Sequence, residues 1–519
     1  MPTTHDLYEA VRLHERGHFE EAEHLYRKIL SLEPSNAAAW HLFGRLAMQF
    51  AQHEVAIQRI GRALTLKPDY AEAYNDVGLV YEAQKRFDAA IASFEHALAL
   101  KPDYVGAINN LGNALRATGR VEQALKRFNE ALLVEPSLPA IHNNLGLAQR
   151  ELGNTEEAFH CFQRAISIDP CNAESFNNLG AVYRDLGQHT QAAECFTRAL
   201  TLNPTYADAH FNRATHWLLH GDFAHGWKEY EWRWQRKDFP SRGAPELVWD
   251  GRTLSGHRLL LHAEQGLGDT IQFARYAALC KNRGATVVFA AQKPLVALLA
   301  GCPGIDELTD LECAAPPFHF HAPLMSLPNI FGTSLDAVPA KVPYLTPSPL
   351  LKQSWMQRLG AFDGIKIGIA WQGNASFVAD RYRSIPLSEF APLAAVSGVT
   401  LVSLQKGPGT EQLRDAKLPF SIVNFGDRLD ASGAFADTAA IMTNLDLIVT
   451  SDSAIAHLAG ALAIPTWLAL PLSPDWRWLL SRADSPWYPT LRLFRQGKRG
   501  DWKAVFDEMA NTLVNRLSK

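Results

Sequence analysis

Two consecutive 34-residue stretches, VGAINNLGNALRATGRVEQALKRFNEALLVEPSL (105–138) and PAIHNNLGLAQRELGNTEEAFHCFQRAISIDPCN (139–172), superimpose position by position. NNLG stands at 109–112 and again at 143–146, and Ala124, Phe128 and Pro136 match Ala158, Phe162 and Pro170. The register extends in both directions. Prolines occupy 34, 68, 102, 136, 170 and 204, and Gly44, Gly78, Gly112, Gly146 and Gly180 keep the same period. So do Ala22, Ala56, Ala90, Ala124, Ala158 and Ala192, with Tyr26, Phe94, Phe128, Phe162 and Phe196 in step. A repeat of this length is the mark of a stacked array of small supersecondary units.

The pattern resembles the tetratricopeptide repeat, a helix-turn-helix unit with small residues where its helices cross and a proline ending the second helix. About seven units span residues 1–240: a first (3–36) without the early glycine, five regular ones (37–206) and a degenerate last (207–240). In the last unit Ala214 and Gly226 take the Gly and Ala positions, and GWKEYEWRW replaces the usual second-helix pattern. Terminal units have one face against solvent or another domain, so Trp227, Tyr230, Trp232 and Trp234 are expected to cap the array, as packing at a domain junction. One first-helix position carries Asn110, Asn144, Asn178 and Asn212, with Asp76 in the unit before. A carboxamide both donates and accepts, so such a ladder can grip an extended peptide backbone; the alternative is repeat consensus lining an idle groove. The NNLG string resembles the repeats of O-linked N-acetylglucosamine transferases, where such a ladder is known.

The 519 residues, 47% hydrophobic and 20% charged, suffice for about three folded domains and exclude a largely disordered or fibrous chain. A net charge of −4 leaves no basic footprint for nucleic acid. Up to residue 240 there are 24 basic and 30 acidic residues, and 26 against 24 beyond it, a difference too small to decide anything. Cys161, Cys171, Cys195, Cys280, Cys302 and Cys313 form no CxxC pair, and the histidines are scattered without metal-ligand spacing. The opening MPTTHDLYEA lacks the charged and apolar regions of a leader. The longest apolar stretch, 445–472, contains Asp446, Asp452, His457 and two prolines, which argues against a membrane span. The expectation is a soluble cytoplasmic protein.

After a linker at 241–256, short apolar runs alternate with helical segments, the signature of parallel sheets. A first lobe (257–345) has strand candidates at 258–264, 286–291 and 318–324. A proline-rich stretch precedes a second lobe (346–519) with candidates at 366–374, 401–407, 421–426, 446–453 and 466–471 and a closing helix at 502–517. Two such lobes are expected to meet at a cleft facing the carboxyl ends of the strands.

Two loops could carry chemistry. In HAEQGLGDTIQFARY (262–276), Gly266 and Gly268 permit a tight strand-to-helix turn and Asp269 opens the helix; Ile271 stands where a dinucleotide fingerprint needs glycine. Asp269 has a plain structural role as an N-cap, which composition does not separate from that of a catalytic base. In the second loop, within 445–471, Asp452 and Ser453 sit at a turn with Ala454 and Ala456 small enough to admit a ligand to a helix N-terminus, which favours a diphosphate. His457 follows on the same face, and the plainer reading is a Ser/Asp cap with a satisfied core histidine.

Both loops, in this order, resemble those of lipopolysaccharide heptosyltransferase-type glycosyltransferases, metal-independent inverting enzymes of GT-B fold that use ADP-heptose. The resemblance covers about residues 257–517 and implies an α superhelix of tetratricopeptide repeats followed by an α/β GT-B fold of two Rossmann-like lobes. It implies that Asp269, after Gly268, is the general base, and that Asp452, Ser453, Ala454 and His457 stand at the family's Asp-Thr-Gly-x-x-His signature beside the donor diphosphate. Arg383 and Pro386, in RSIP, match the family's Lys-x-Trp-Pro string. Ser453-Ala454 for Thr-Gly and Arg383 for Lys are departures that keep the phosphate logic and leave the donor's sugar and base open. Lys406, in QKGPG, is a secondary phosphate candidate, and without GK[ST] that segment is no P-loop. Trp476, Arg477 and Trp478 either floor a pocket or fill the core; Glu264 and His262 could assist Asp269. With no Asp-x-Asp in this region, neither a metal nor a cofactor is expected, the nucleotide sugar being a substrate. The partners implied are that donor and a protein or peptide acceptor in the repeat groove. A glycan acceptor and a non-catalytic repeat scaffold are the alternatives.

Overall fold

A computed structural model describes residues 2–237, 239, 247–375, 379–414, 418–431 and 433–518, and the chain divides into two compact units, Met1–Val182 and Tyr183–Lys519. The first six positions of the linker expected at 241–256 lie outside the described residues. The first unit holds the helix pairs Pro2–Glu15 with Phe19–Leu32, Ala37–Gln49 with His53–Leu66, Ala71–Ala83 with Phe87–Leu100, Val105–Ala117 with Val121–Val134, and Pro139–Leu152 with Thr155–Ile168. The sixth pair, Ala173–Asp185 with His189–Leu202, contains the boundary, and the seventh, Ala207–Leu219 with Phe223–Tyr230, belongs to the second unit.

The 34-residue pattern has a direct steric cause. A Cβ added at Gly112 would lie 2.5 Å from Phe128 Cε1, and one at Gly146 would lie 2.7 Å from Phe162 Cε1. The two helices of a repeat approach so closely that the aromatic ring fills the place of a side chain. The last unit keeps this logic with the partners exchanged, a Cβ at Gly226 falling 2.6 Å from Leu218 Cδ2. The turn between paired helices needs a left-handed residue at the same register in every unit: Gly17, Ala51, Lys85, Gly119, Gly153, Gly187 and Gly221 all have positive φ. Ala51 and Lys85 adopt it without glycine's freedom.

In the second unit, β1 (Arg258–His262), β2 (Thr286–Ala291), β3 (Glu307–Asp310) and β4 (Phe320–Pro323) form a parallel sheet in the order β3-β2-β1-β4. A second parallel sheet runs β6-β5-β7-β8-β9, from β5 (Ile365–Ala370), β6 (Val399–Ser403), β7 (Leu447–Ser451), β8 (Thr466–Leu470) and β9 (Leu491–Arg495). Its central strands are buried on both faces. Ile367 and Ile369 pack in the core that includes Phe506 and Met509 of helix Trp502–Leu517, while Ala370, Val402 and Ile448 face the other way. The segment expected as a strand at 421–426 contributes only an isolated bridge, Val423 to Val402. Asn424 ends it by accepting the Gly426 N–H (3.0 Å) in a local turn. Strands β3 and β9 were not expected; both are sheet edges, and ELTD in β3 has little apolar pattern to read.

Candidate functional site

Four loops that follow the carboxyl ends of β1, β5, β7 and β8 carry the candidate residues. After β1, Gly266 caps helix Leu267–Phe273 in extended conformation, and the Asp269 carboxylate reaches back to accept the Gly266 N–H (Oδ2, 2.8 Å). Asp269 is thus the third helical residue, reaching back to the N–H of the N-cap glycine, and not the N-cap itself. Its other oxygen accepts from Arg477 Nη2. Arg477, 6% exposed, also donates to Asp475 Oδ1 (2.8 Å) and Gln272 Oε1 (2.7 Å) and lies over the Trp476 ring at 4.1 Å. Burial raises the Asp269 carboxyl pKa, with Arg477 pulling the other way. The side chain keeps 21% exposure, so it is accessible as well as oriented.

After β7, Ser453 is the extended N-cap of helix Ala454–Ala461, and its hydroxyl lies 3.5 Å from Thr450 Oγ1. The buried Asp452 carboxyl is pushed up to about 6 by burial and by Asp475, against Arg383 and Arg477. His457 is buried with Nδ1 3.0 Å from the Tyr488 hydroxyl and its ring stacked on Trp478 at 5.4 Å. Burial first, then Arg477, Arg275 and Arg383, hold it neutral, so it offers hydrogen bonding and no charge to an anion. The two loops meet here. A Cβ on Gly268 would lie 2.8 Å from His457 Cδ2 and 3.4 Å from Ala454 Cα, so glycine is what allows the two helix N-termini to converge. Arg383 packs on Asp380 (Nε to Oδ1, 3.0 Å) against Gly373, and its charge acts on Asp269, Asp452 and His457.

Other candidates are placed differently. Lys406 donates to the Leu429 carbonyl, and its QKGPG loop is a staple: Gln405 accepts from the N–H groups of Trp371 (3.0 Å) and Gln372 (3.1 Å) and donates to Pro408 O (2.8 Å). Glu264 is bound to Arg233, and His262 to His321 (3.2 Å). Trp476 and Trp478 are core residues, at 5% and 0% exposure. Trp227 meets Phe273, Trp476 and Trp487 edge to face as the cap expected of it, whereas Trp232 stacks on His210 (3.7 Å, 8°) within its own repeat. What the sequence reading lacked was Arg477 as the partner of Asp269, since the two are far apart in the chain.

The asparagine ladder is tied into the array. Asn110 Nδ2 donates to Asn75 (3.0 Å), Asn144 to Asn109 (2.9 Å) and Asn178 to Asn143 (3.0 Å), each stitching its repeat to the one before. The second amide proton and the carbonyl of each carboxamide are not needed for that tie. Asp76 accepts from His41 Nε2 (2.8 Å), and Asn212, in the second unit, accepts from Arg184 Nη1 (3.2 Å).

Family models described as Tetratricopeptide repeat match residues 41–105, 81–146, 139–170 and 173–206. The helical pairs are tetratricopeptide repeats, units that commonly bind protein partners. Protein FlbA of Caulobacter vibrioides (strain ATCC 19089 / CIP 103742 / CB 15) is 28% identical over 335 residues, covering 58% of this chain. The match takes in 54% of that protein, so the chain spans about half the length of the curated relative it matches. Among solved structures, Pseudomonas aeruginosa PilF is 19% identical at a TM-score of 0.37, covering 41% of this chain and 96% of that one. MamA of Desulfovibrio magneticus RS-1 is 20% identical at a TM-score of 0.30, covering 33% and 96%. Among the described residues no helix is long and apolar enough to cross a membrane.

Proposed function

We propose that the second unit is a metal-independent inverting glycosyltransferase of GT-B type, which moves a sugar from a nucleoside-diphosphate donor to a protein or peptide acceptor bound by the repeats. Asp269 takes the proton of an acceptor hydroxyl, whose oxygen attacks the anomeric carbon as the nucleoside diphosphate leaves. A positioned base of this kind is worth about 10²–10⁴ in rate. Arg383, Ser453 and the N–H groups opening helix Ala454–Ala461 receive the diphosphate, and His457 holds Gly268 and that helix in register. No cofactor enters the reaction, and the protein works in the cytoplasm.

The reading rests on one observation above the others, the contact of Gly268 with His457 and Ala454, which brings a carboxylate and a helix N-terminus from distant loops to one place. Titration calorimetry with UDP-, GDP-, ADP- and CMP-sugars tests it. One nucleotide class should bind to the wild type and be lost in Arg383→Ala. A folded wild type that binds none of them overturns the transferase reading and favours the second one, a repeat scaffold for protein partners, which rests on the repeats themselves.

A further inference from the structure

The last repeat departs from the four repeats before it at two buried positions. At the register of Phe94, Phe128, Phe162 and Phe196 it has Tyr230; at that of Ala63, Ala97, Ala131, Ala165 and Ala199, all fully buried, it has Arg233, which is also 0% exposed. Repeat packing therefore requires neither the hydroxyl nor the guanidinium.

Both groups reach the same loop. Arg233 grips Glu264 with two parallel bonds (Nε to Oε2, 2.8 Å; Nη2 to Oε1, 3.0 Å). Its remaining protons go to Tyr230 O (3.2 Å), Glu231 Oε1 (2.8 Å) and Ser326 Oγ (2.8 Å), so all five donors are used. The Tyr230 hydroxyl accepts from Gln265 Nε2 (2.9 Å). The Gln265 carbonyl accepts from Gln292 Nε2 (2.8 Å), whose Oε1 in turn accepts from Thr270 (2.9 Å). Gly266, next in the chain, donates to Asp269. A buried ion pair is a poor source of net stability compared with apolar packing, and its best-attested use is to fix a register.

We infer that Tyr230 and Arg233 are positioning residues, by which the terminal repeat sets the loop that aims Asp269. The inference deepens the transferase reading and rests on it, so its test has a readout that needs no turnover. In full-length Tyr230→Phe, which restores the residue of four other repeats, amides of 264–270 should exchange hydrogen about 5-fold faster, as expected for one lost hydrogen bond. The melting temperature should fall by no more than about 1–2 °C, and kcat for transfer should fall with KM for the donor unchanged. Arg233→Ala, which restores the repeat's own alanine, should loosen the same amides further, and Arg233→Lys should recover part of the loss. Unchanged protection of 264–270 in both Tyr230→Phe and Arg233→Ala overturns the inference whatever the enzyme does. A wild type that transfers nothing overturns the catalytic half of it together with the transferase reading, and the exchange result still decides whether the repeat holds the loop.

Discussion

Replacing Gly268 by alanine should drive the two loops of the candidate site apart. The added carbon would stand 2.8 Å from His457 Cδ2 and 3.4 Å from Ala454 Cα. Carbon atoms in contact prefer about 3.5–4.0 Å, so the ring or the helix must retreat by roughly 0.7 Å or more. The ring has little freedom to do so, being bonded to the Tyr488 hydroxyl at 3.0 Å and stacked on Trp478. Overpacking of this kind costs about 1–3 kcal/mol. For a unit the size of Tyr183–Lys519 that corresponds to a fall of about 1–4 °C in melting temperature. Scanning calorimetry of Gly268→Ala, His457→Ala and the double variant measures it. The methyl enters space vacated by the imidazole in the double variant, so its cost should be below the sum of the singles by about 1 kcal/mol or more. A Gly268→Ala protein that melts with the wild type, or single costs that simply add, would refute the proposed contact between the loops.

Three further outcomes follow from the same geometry. Stability of the second unit should fall on acidification because burial, then His220, His189 and Arg184, hold the His216 pKa down to about 3, so the unfolded chain takes up a proton first as pH drops below 6.5. The loss at pH 5 should be roughly 2 kcal/mol, and urea titrations at pH 7 and pH 5 should show His216→Leu flattening the difference. Lys85→Gly, relieving a left-handed residue in the first unit, should raise stability by about 1 kcal/mol in the same assay, with no gain at Lys101→Gly, inside no such turn. Asp452, raised to about 6, is neutral below that pH and charged above it; affinity for a nucleoside diphosphate should therefore weaken as pH rises from 5 to 7, and Asp452→Asn should remove the dependence in calorimetry.

Much of the fold was legible because its cause is local or repeated. The 34-residue register records a recurring steric event, a large side chain seated against Gly44, Gly78, Gly112 and Gly146, and each recurrence reinforces the signal. The closing helix at 502–517 and the buried strands β1, β2, β5, β7 and β8 were legible from apolar runs between turn residues. At 421–426 the same rule misled, since the run is only partly buried and meets the edge strand β6 at Val423 alone.

The sequence by itself determined the repeat array, the alternation of strands and helices that follows, and which two loops were worth attention. Only the tertiary structure decided what those loops do to one another. That Gly268 admits His457, that Arg477 holds Asp269, and that Arg233 gives two of its five protons to Glu264 in the β1 loop are juxtapositions of residues distant in the chain. Periodicity reports the environment each residue enters along its own element. Which charge meets which is settled by packing between elements, where a buried guanidinium must find all of its acceptors or not be buried at all.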